Sequence, residues 1–170
     1  MKARLFAVLA LAVPAAAAAQ GVAASKNLYE ISKGWLIKSA EMMPEADYGF
    51  KPTPAVRSFG ELIGHVANAN YMFCSVVLGE NSPQTGDLEK AANRAAFIKG
   101  IKDAFAYCDK AYLLADAKST EMIKLPFGME GNKLWALMFN VAHNNEHYGN
   151  LVTYFRLKGM VPPSSQGGGM

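Results

Sequence analysis

The segment from Asn132 to Gly159 constrains the fold most, because it predicts one helix of about 26 residues. Asn132 is a suitable N-cap, Gly159 is a suitable C-terminal glycine, and Pro162-Pro163 beyond it prevents continuation. This is the longest helical segment in the sequence.

Apolar residues spaced three and four apart predict three earlier helices, over residues 25–43, 59–78 and 94–116. In the first, Leu28, Ile31 and Trp35 are predicted to share the inward side. A capping box of Ser58 and Glu61 marks the start of the second.

The connections between these segments are of three kinds. Residues 44–57 are too rich in proline and glycine for a helix and predict an ordered loop. Residues 80–92 form a polar linker, and residues 117–131 read as an extended crossing segment. Since no segment alternates clearly like a strand, the sequence predicts an all-α fold, a four-helix bundle with long first and third connections.

The beginning of the chain has the pattern of an export signal. Lys2 and Arg4 precede an apolar run over residues 5–13, and small residues at 17–19 suit cleavage before Gln20. An uncleaved anchor, the alternative, would need about 20 apolar residues. We therefore predict a signal peptide over residues 1–19, a bundle domain over 20–163 and a disordered tail over 164–170, in a periplasmic or secreted protein without stable membrane association.

The charge of the chain excludes a broad nucleic-acid-binding surface. The formal net charge of +3 falls to +1 when Lys2 and Arg4 leave with the signal. No nucleic-acid partner is predicted.

The chain contains three histidines, His65, His143 and His147, all in predicted helices. His143 and His147 are four residues apart, so their side chains lie on one helix face, away from the main apolar stripe. His65 points into the bundle from the second helix. Three imidazoles with an open fourth position form a usual zinc arrangement, and nickel or ferrous iron suits the same ligands. The alternative is a hydrogen-bonded core histidine and a surface pair.

Other side chains are candidates for supporting roles around these histidines. Glu146 completes an H-x-x-E-H pattern and is the candidate catalytic residue for proton transfer, although no carboxylate follows it to complete a protease site. The alternative for Glu146 is a solvated helix position. Asn68 is a candidate for orienting His65, the alternative being an ordinary polar position. Tyr71 or Tyr154 is a candidate for stabilising an oxyanion, the alternative being packing with a solvated hydroxyl.

The two cysteines, Cys74 and Cys108, leave two states open. An exported protein meets conditions that favour a disulfide. A tight hairpin of the second and third helices would place the two residues out of register, which favours free thiols.

The last helix also carries an apolar stripe opposite the histidine pair. The first and third helices could cover this stripe. Alternatively, the stripe or the neighbouring face of the second helix could form a homodimer interface. Its members are Leu134, Leu137, Met138, Val141, Tyr148, Val152 and Phe155.

Two segments together resemble the DinB/YfiT-like metalloenzyme superfamily: Ser58-Phe-Gly-Glu-Leu-Ile-Gly-His65-Val-Ala-Asn68, and the helix that contains His143 and His147. The resemblance implies a four-helix bundle whose three histidines hold a divalent ion, often in dimers. It implies one of two activities, that of a thiol-dependent transferase or isomerase or that of a metal-dependent hydrolase. Many relatives have Arg-Gly-Gln where this chain has Tyr148-Gly149-Asn150, so no role is carried over for that arginine or glutamine.

From these features we predict an exported metal-dependent hydrolase of a small-molecule substrate, with zinc as the first metal candidate and nickel or iron as the others. A thiol-dependent S-transferase is one alternative, although low-molecular-weight thiols are mainly cytoplasmic. A non-catalytic bundle that binds metal or a ligand is the other.

Overall fold

The computed structural model describes residues 16–167 of the chain. Four long helices form the predicted bundle, and a four-residue helix and a two-stranded sheet precede the last of them. The helices are α1 (Ala16–Met42), α2 (Phe59–Leu78), α3 (Arg94–Cys108), α4 (Asp116–Ser119) and α5 (Lys133–Leu157), and the strands are β1 (Met122–Lys124) and β2 (Glu130–Asn132). The all-α prediction is confirmed, although the second connection is about as long as the first.

The caps that the sequence predicts are present in the structure. The Ser58 side chain accepts a hydrogen bond from the backbone of Glu61, while the Glu61 carboxylate accepts one from the backbone of Ser58. The Asn132 side chain accepts a hydrogen bond from the backbone of Trp135. Gly159 has a φ of 69°, the left-handed conformation for which glycine is favoured.

Helices α1 and α5 run in the same direction, because α1 contacts residues progressively later in α5. Leu134 lies against Gly21, and the ring of Tyr148 stacks on that of Trp35 with centroids 5.0 Å apart. Helix α2 runs against α5, since Phe59 contacts Phe155 near one end and Phe73 contacts Phe139 toward the other.

The connection after α2 turns back along that helix. A Cβ atom on Gly64 would lie 2.2 Å from the carbonyl oxygen of Leu88, so only glycine lets the connection approach this closely. Helix α3 therefore starts beside the N-terminal half of α2, where Phe97 lies against Gly60, and runs parallel to α2.

This parallel arrangement brings the two cysteines together. Cys74 and Cys108 form a disulfide, with Cα atoms 5.2 Å apart, and both residues are fully buried. The predicted register mismatch was wrong, because it assumed an antiparallel hairpin of α2 and α3.

The third helix is shorter than predicted. It ends at Cys108, and a 3-10 turn over Ala111–Leu113 follows. This turn buries Tyr112, whose hydroxyl donates a hydrogen bond to the carbonyl of Leu137 and whose ring stacks on Tyr29 with centroids 3.8 Å apart. Helix α3 therefore ends at Cys108 and not at the predicted residue 116, and the turn that follows places Tyr112 in the core.

The segment predicted as an extended crossing contains helix α4 and a small hairpin. Strands β1 and β2 pair antiparallel with Met122 opposite Asn132. The turn between them includes Phe127, which has a φ of 74° and is 81% exposed. The hairpin precedes α5 directly and lies near its N-terminal half.

The buried face of α1 differs from the predicted one. Leu28 and Ile31 are 56% and 47% exposed, whereas Ser32 and Ser39 are fully buried. Each serine donates its hydroxyl to a backbone carbonyl within the helix, Ser32 to Tyr29 and Ser39 to Trp35, so burial leaves neither hydroxyl unpaired.

The stripe predicted as a dimer interface is mostly covered within the chain. Leu137, Val141, Tyr148 and Phe155 are buried, and α1 packs along this helix. Met138 is the exception, with 57% exposure. The homodimer therefore stays a prediction based on family resemblance. Most of the α5 stripe is not free to form its interface, and the neighbouring face of α2 stays the other predicted surface.

The dimer prediction is tested by light scattering across micromolar concentrations. We expect a mass near twice that of the mature chain. We also expect Met138→Asp to leave that mass unchanged, since Met138 is the exposed member of a stripe that otherwise packs inside the bundle. A mass near one chain at all concentrations would contradict the dimer.

The two ends of the chain are described in part. Residues 1–15 of the predicted signal peptide lie outside the described residues, and residues 16–19 begin α1. Residues 164–167 are not a free tail: the backbone of Ser164 donates a hydrogen bond to the Tyr148 hydroxyl at 2.7 Å. The remaining tail residues, 168–170, lie outside the described part.

None of the helices in residues 16–167 has the length and apolar character needed to cross a membrane.

Candidate metal centre

Helices α2 and α5 bring the three histidines together. Potential ligand atoms of His65, His143 and His147 all lie within 4.8 Å of one another. The Nε2 atoms of His143 and His147 are 3.0 Å apart. The His65 ring centroid lies 5.2 Å from that of His143 and 4.7 Å from that of His147. The predicted placement of the pair away from the apolar stripe is confirmed.

Glu89, which sequence analysis missed, orients His65. The Nδ1 atom of His65 lies 2.8 Å from Oε1 of Glu89, so His65 donates this proton and keeps the Nε2 lone pair for a metal. Arg57 donates a hydrogen bond from Nε to the other oxygen of Glu89 at 2.9 Å. Burial raises the pKa of Glu89, but hydrogen bonds from Arg57 and His65 outweigh it, and the pKa lies below its usual value.

Asn68, predicted to orient His65, instead holds the connection that carries Glu89. Its side-chain oxygen accepts a hydrogen bond from the backbone of Leu88 at 3.0 Å. Its amide nitrogen donates to Asp87 at 2.8 Å. Asn68 thus fixes the backbone beside Glu89 and acts on the histidine only through that segment.

The histidine pair on α5 is held in the neutral form. Burial, followed by the two neighbouring histidines, lowers the pKa of His143 to about 3. Burial, followed by His65, lowers the pKa of His147 to about 4. Asn150 lies 3.4 Å from Nδ1 of His147, on the side of the ring away from His143. Neutral imidazoles whose nitrogens converge are the donor set that a divalent ion requires.

The cluster provides three protein ligands. Among residues 16–167, no further histidine, cysteine, aspartate or glutamate joins the group of mutually close ligand atoms. The three histidines can hold a metal ion, and a tetrahedral ion there would keep its fourth position open to water or a substrate.

The other predicted site residues have different positions. Glu146 lies on α5 between His143 and His147 and is exposed. Its carboxylate makes no hydrogen bond or ion pair with the described part of the chain. The Tyr154 hydroxyl donates to the Arg57 carbonyl at 2.5 Å. Tyr71 packs against Tyr107 of α3, with ring centroids 5.5 Å apart. Tyr154 lines the larger cleft with its hydroxyl engaged by the chain, and Tyr71 packs on α3, so the oxyanion role stays a prediction.

Two cavities flank the histidines. A cleft of about 740 Å³ has the loop over residues 51–57 as one wall and reaches His147, Glu89 and Asn150. A smaller pocket of about 270 Å³ lies between α2, α5 and the hairpin and reaches His65 and His143. Molecules can therefore approach the three histidines from two sides.

The position of Glu89 leads to a direct test. We expect Glu89→Gln to weaken metal binding by about 10–100-fold, because the amide no longer accepts the His65 proton as strongly. Competition with a chromophoric chelator measures the affinity.

Glu146→Gln is the matched control, since it removes the same charge from an exposed position one residue from His147. We expect this control to keep the wild-type affinity. Equal affinities in Glu89→Gln and the wild type would contradict the orienting role.

The family model for the DinB superfamily matches residues 35–151, which include all three histidines. The chain belongs to the DinB superfamily. The family resemblance predicted from the two helix segments is thereby confirmed. No curated protein matches the sequence significantly.

Solved structures of DinB-like proteins share this fold at low sequence identity. A DinB-like protein from Bacillus cereus ATCC 10987 is 16% identical, with a TM-score of 0.72 over 82% of this chain and 93% of the other. A DinB-like protein from Bacillus subtilis is 21% identical, with a TM-score of 0.59 over 76% of this chain and 87% of the other. A mycothiol-dependent maleylpyruvate isomerase is 16% identical, with a TM-score of 0.61 over 77% of this chain and 59% of the other.

Proposed function

We propose that this DinB-superfamily protein is a metal-dependent hydrolase of a small-molecule substrate. The ligands are His65, His143 and His147, and zinc is the first candidate metal, followed by nickel and iron. One observation carries the proposal: the histidine cluster has three ligands and lies between two cavities. A metal-storage or structural site would instead be expected to close with a fourth protein ligand.

A divalent ion in this position supplies Lewis-acid chemistry, either activating water or polarising a carbonyl. The chain's own residues prepare the site for it. His143 and His147 stay neutral through burial, and Glu89 holds the proton of His65 away from the cluster.

Proton transfer is proposed for Glu146, as the carboxylate adjacent to His147 on α5. Glu89 is the competing carboxylate because it lines the larger cleft. The two assignments predict different results for Glu146→Gln. If Glu146 transfers the proton, this variant should reduce turnover while sparing metal binding; if Glu89 does so, the variant should leave turnover unchanged.

We further propose that the protein works in the periplasm or outside the cell. The disulfide between Cys74 and Cys108 supports this proposal, since disulfides persist mainly in oxidising compartments. The predicted leader over residues 1–19 is the other support.

The hydrolase proposal is tested on protein loaded separately with zinc, nickel and ferrous iron. Esters, amides and lactones form the substrate panel, and a chelator-treated sample serves as the blank. We expect metal-dependent turnover that His143→Ala abolishes. A cobalt-loaded sample whose visible spectrum indicates four protein ligands and does not respond to small anions would contradict an open catalytic site.

A thiol-dependent transferase is the second candidate, and one comparison favours it. A structure with this fold is named a mycothiol-dependent isomerase. Adding low-molecular-weight thiols to the same assays distinguishes the candidates, because a hydrolase needs only water.

A further inference from the structure

The smaller of the two cavities has an almost entirely apolar wall. It is formed by α2, α5 and the hairpin turn, and it opens directly beside His65 and His143. We call this cavity the apolar pocket. Its apolar lining residues are Ala69, Met72, Phe73, Phe127, Met129 and Phe139.

Few polar groups reach this pocket. Besides the two imidazoles, Asn68 is the only polar lining residue within the part of the chain that the structure describes. Its oxygen accepts from Leu88 and Gln84, and its nitrogen donates to Asp87. A ligand in this pocket therefore finds mainly apolar contacts and the metal ligands, since the Asn68 side chain already makes three hydrogen bonds within the chain.

Phe127 is not explained by the fold. Its φ of 74° is a conformation that glycine or asparagine adopts far more readily, so the turn itself does not favour phenylalanine. Its side chain is 81% exposed, so burial within the chain does not favour it either. Phe127 lines the pocket, and strained backbone conformations cluster at ligand sites, so its position favours a role at the rim of this pocket.

The sizes of the cavities indicate how a ligand divides between them. The pocket volume of about 270 Å³ is below the range of 300–1,000 Å³ that is typical of whole-ligand sites. The pocket therefore suits one group of a ligand, while the cleft of about 740 Å³ on the other side of the histidines has room for the remainder.

We propose that the apolar pocket binds an aromatic ring or short acyl chain of the substrate, whose reacting polar group lies at the three histidines. Phe127 covers the outer side of the bound ring or acyl chain. This inference rests on the proposed function in placing the reacting group at the metal centre, and it names the substrate class as a small carbonyl compound with one apolar substituent.

The test compares two metal-binding probes on the zinc-loaded chain by calorimetry, after zinc content has been measured. Benzohydroxamate carries a phenyl ring, whereas acetohydroxamate carries only a methyl group. We expect benzohydroxamate to bind at least about tenfold more tightly, because its ring removes more apolar surface from water.

Phe127→Gly is the decisive variant, because it removes an exposed side chain and relieves the backbone conformation, so folding should be unaffected. It is expected to reduce the preference for benzohydroxamate at least about threefold while leaving acetohydroxamate affinity unchanged. Met122→Ala is the matched control, since Met122 is a 69% exposed apolar residue of the same hairpin that does not line the pocket. It should keep the wild-type preference.

The outcomes separate this inference from the hydrolase proposal. Equal affinity for the two probes, or a preference that Phe127→Gly leaves intact, would overturn the assignment of the pocket while the metal centre stands. Binding as expected, without turnover of any substrate in the panel, would support the pocket and count against hydrolysis. Failure of both probes to bind zinc-loaded protein would overturn both.

Discussion

Replacing His143 with alanine is expected to abolish stoichiometric metal binding, with affinity falling by more than about 100-fold. That exceeds the 10–100-fold loss typical of removing a residue that only orients a ligand. His143 is central because its Nε2 lies 3.0 Å from that of His147, and its ring also contacts His65. Two remaining imidazoles would leave a divalent ion with too few protein ligands. Elemental analysis and chelator competition measure the loss.

The same result is expected for His65→Ala and His147→Ala. Asn145→Ala is the control on α5, because Asn145 is exposed and its side chain donates a hydrogen bond to the carbonyl of Val141, away from the histidines. Wild-type metal content in any of the three histidine variants would exclude that histidine as a ligand.

Loss of the disulfide has the largest expected effect on stability. Replacing Cys74 and Cys108 together by alanine should lower the free energy of unfolding by about 4 kcal/mol, as the chain-entropy model gives for a loop of this length. Alanine is preferred to serine, because both positions are fully buried and a hydroxyl would need a partner. Urea denaturation with and without reductant measures the difference.

The double variant also provides the control for this measurement. Reductant should destabilise the wild type and leave the variant unaffected, because only the wild type has a bond to break. Two reactive thiols in the denatured, unreduced wild type would show that the bond is absent in solution.

The histidine cluster was predictable because its determinants are local. The spacing of His143 and His147 fixes both side chains on one helix face. The single further histidine, His65, lies in a helix whose start is marked by the Ser58–Glu61 capping box. Helix period and caps are properties of short segments, which a sequence displays directly.

Glu89 could not be predicted from the same kind of pattern. It lies in a polar connection whose path depends on the close approach of Leu88 to Gly64, a contact between distant segments. The sequence shows Gly64 as an ordinary helical glycine, and nothing in residues 80–92 marks one acidic residue above the others. The parallel direction of α3 was missed for the same reason, and the sequence therefore left the disulfide between Cys74 and Cys108 open.

The inward face of α1 was mispredicted for a different physical reason. Hydrophobic spacing favoured Leu28 and Ile31, but buried serines satisfy their hydroxyls on the helix backbone and so occupy core positions. Residue polarity alone does not reveal this, since the partner is a carbonyl that every helix carries.

The parallel packing of α1 and α5 has a consequence for the order in which the protein matures. These helices lie at opposite ends of the chain, yet Trp35 stacks on Tyr148, and α5 also supplies two of the three histidines. A nascent chain is made from its N-terminus, so α1, α2 and α3 emerge before the helix that covers them. The three-histidine cluster is therefore incomplete until the last segment has been synthesised and docked. Because a metal ion at this site binds only the finished bundle, its binding stabilises the completed fold by mass action.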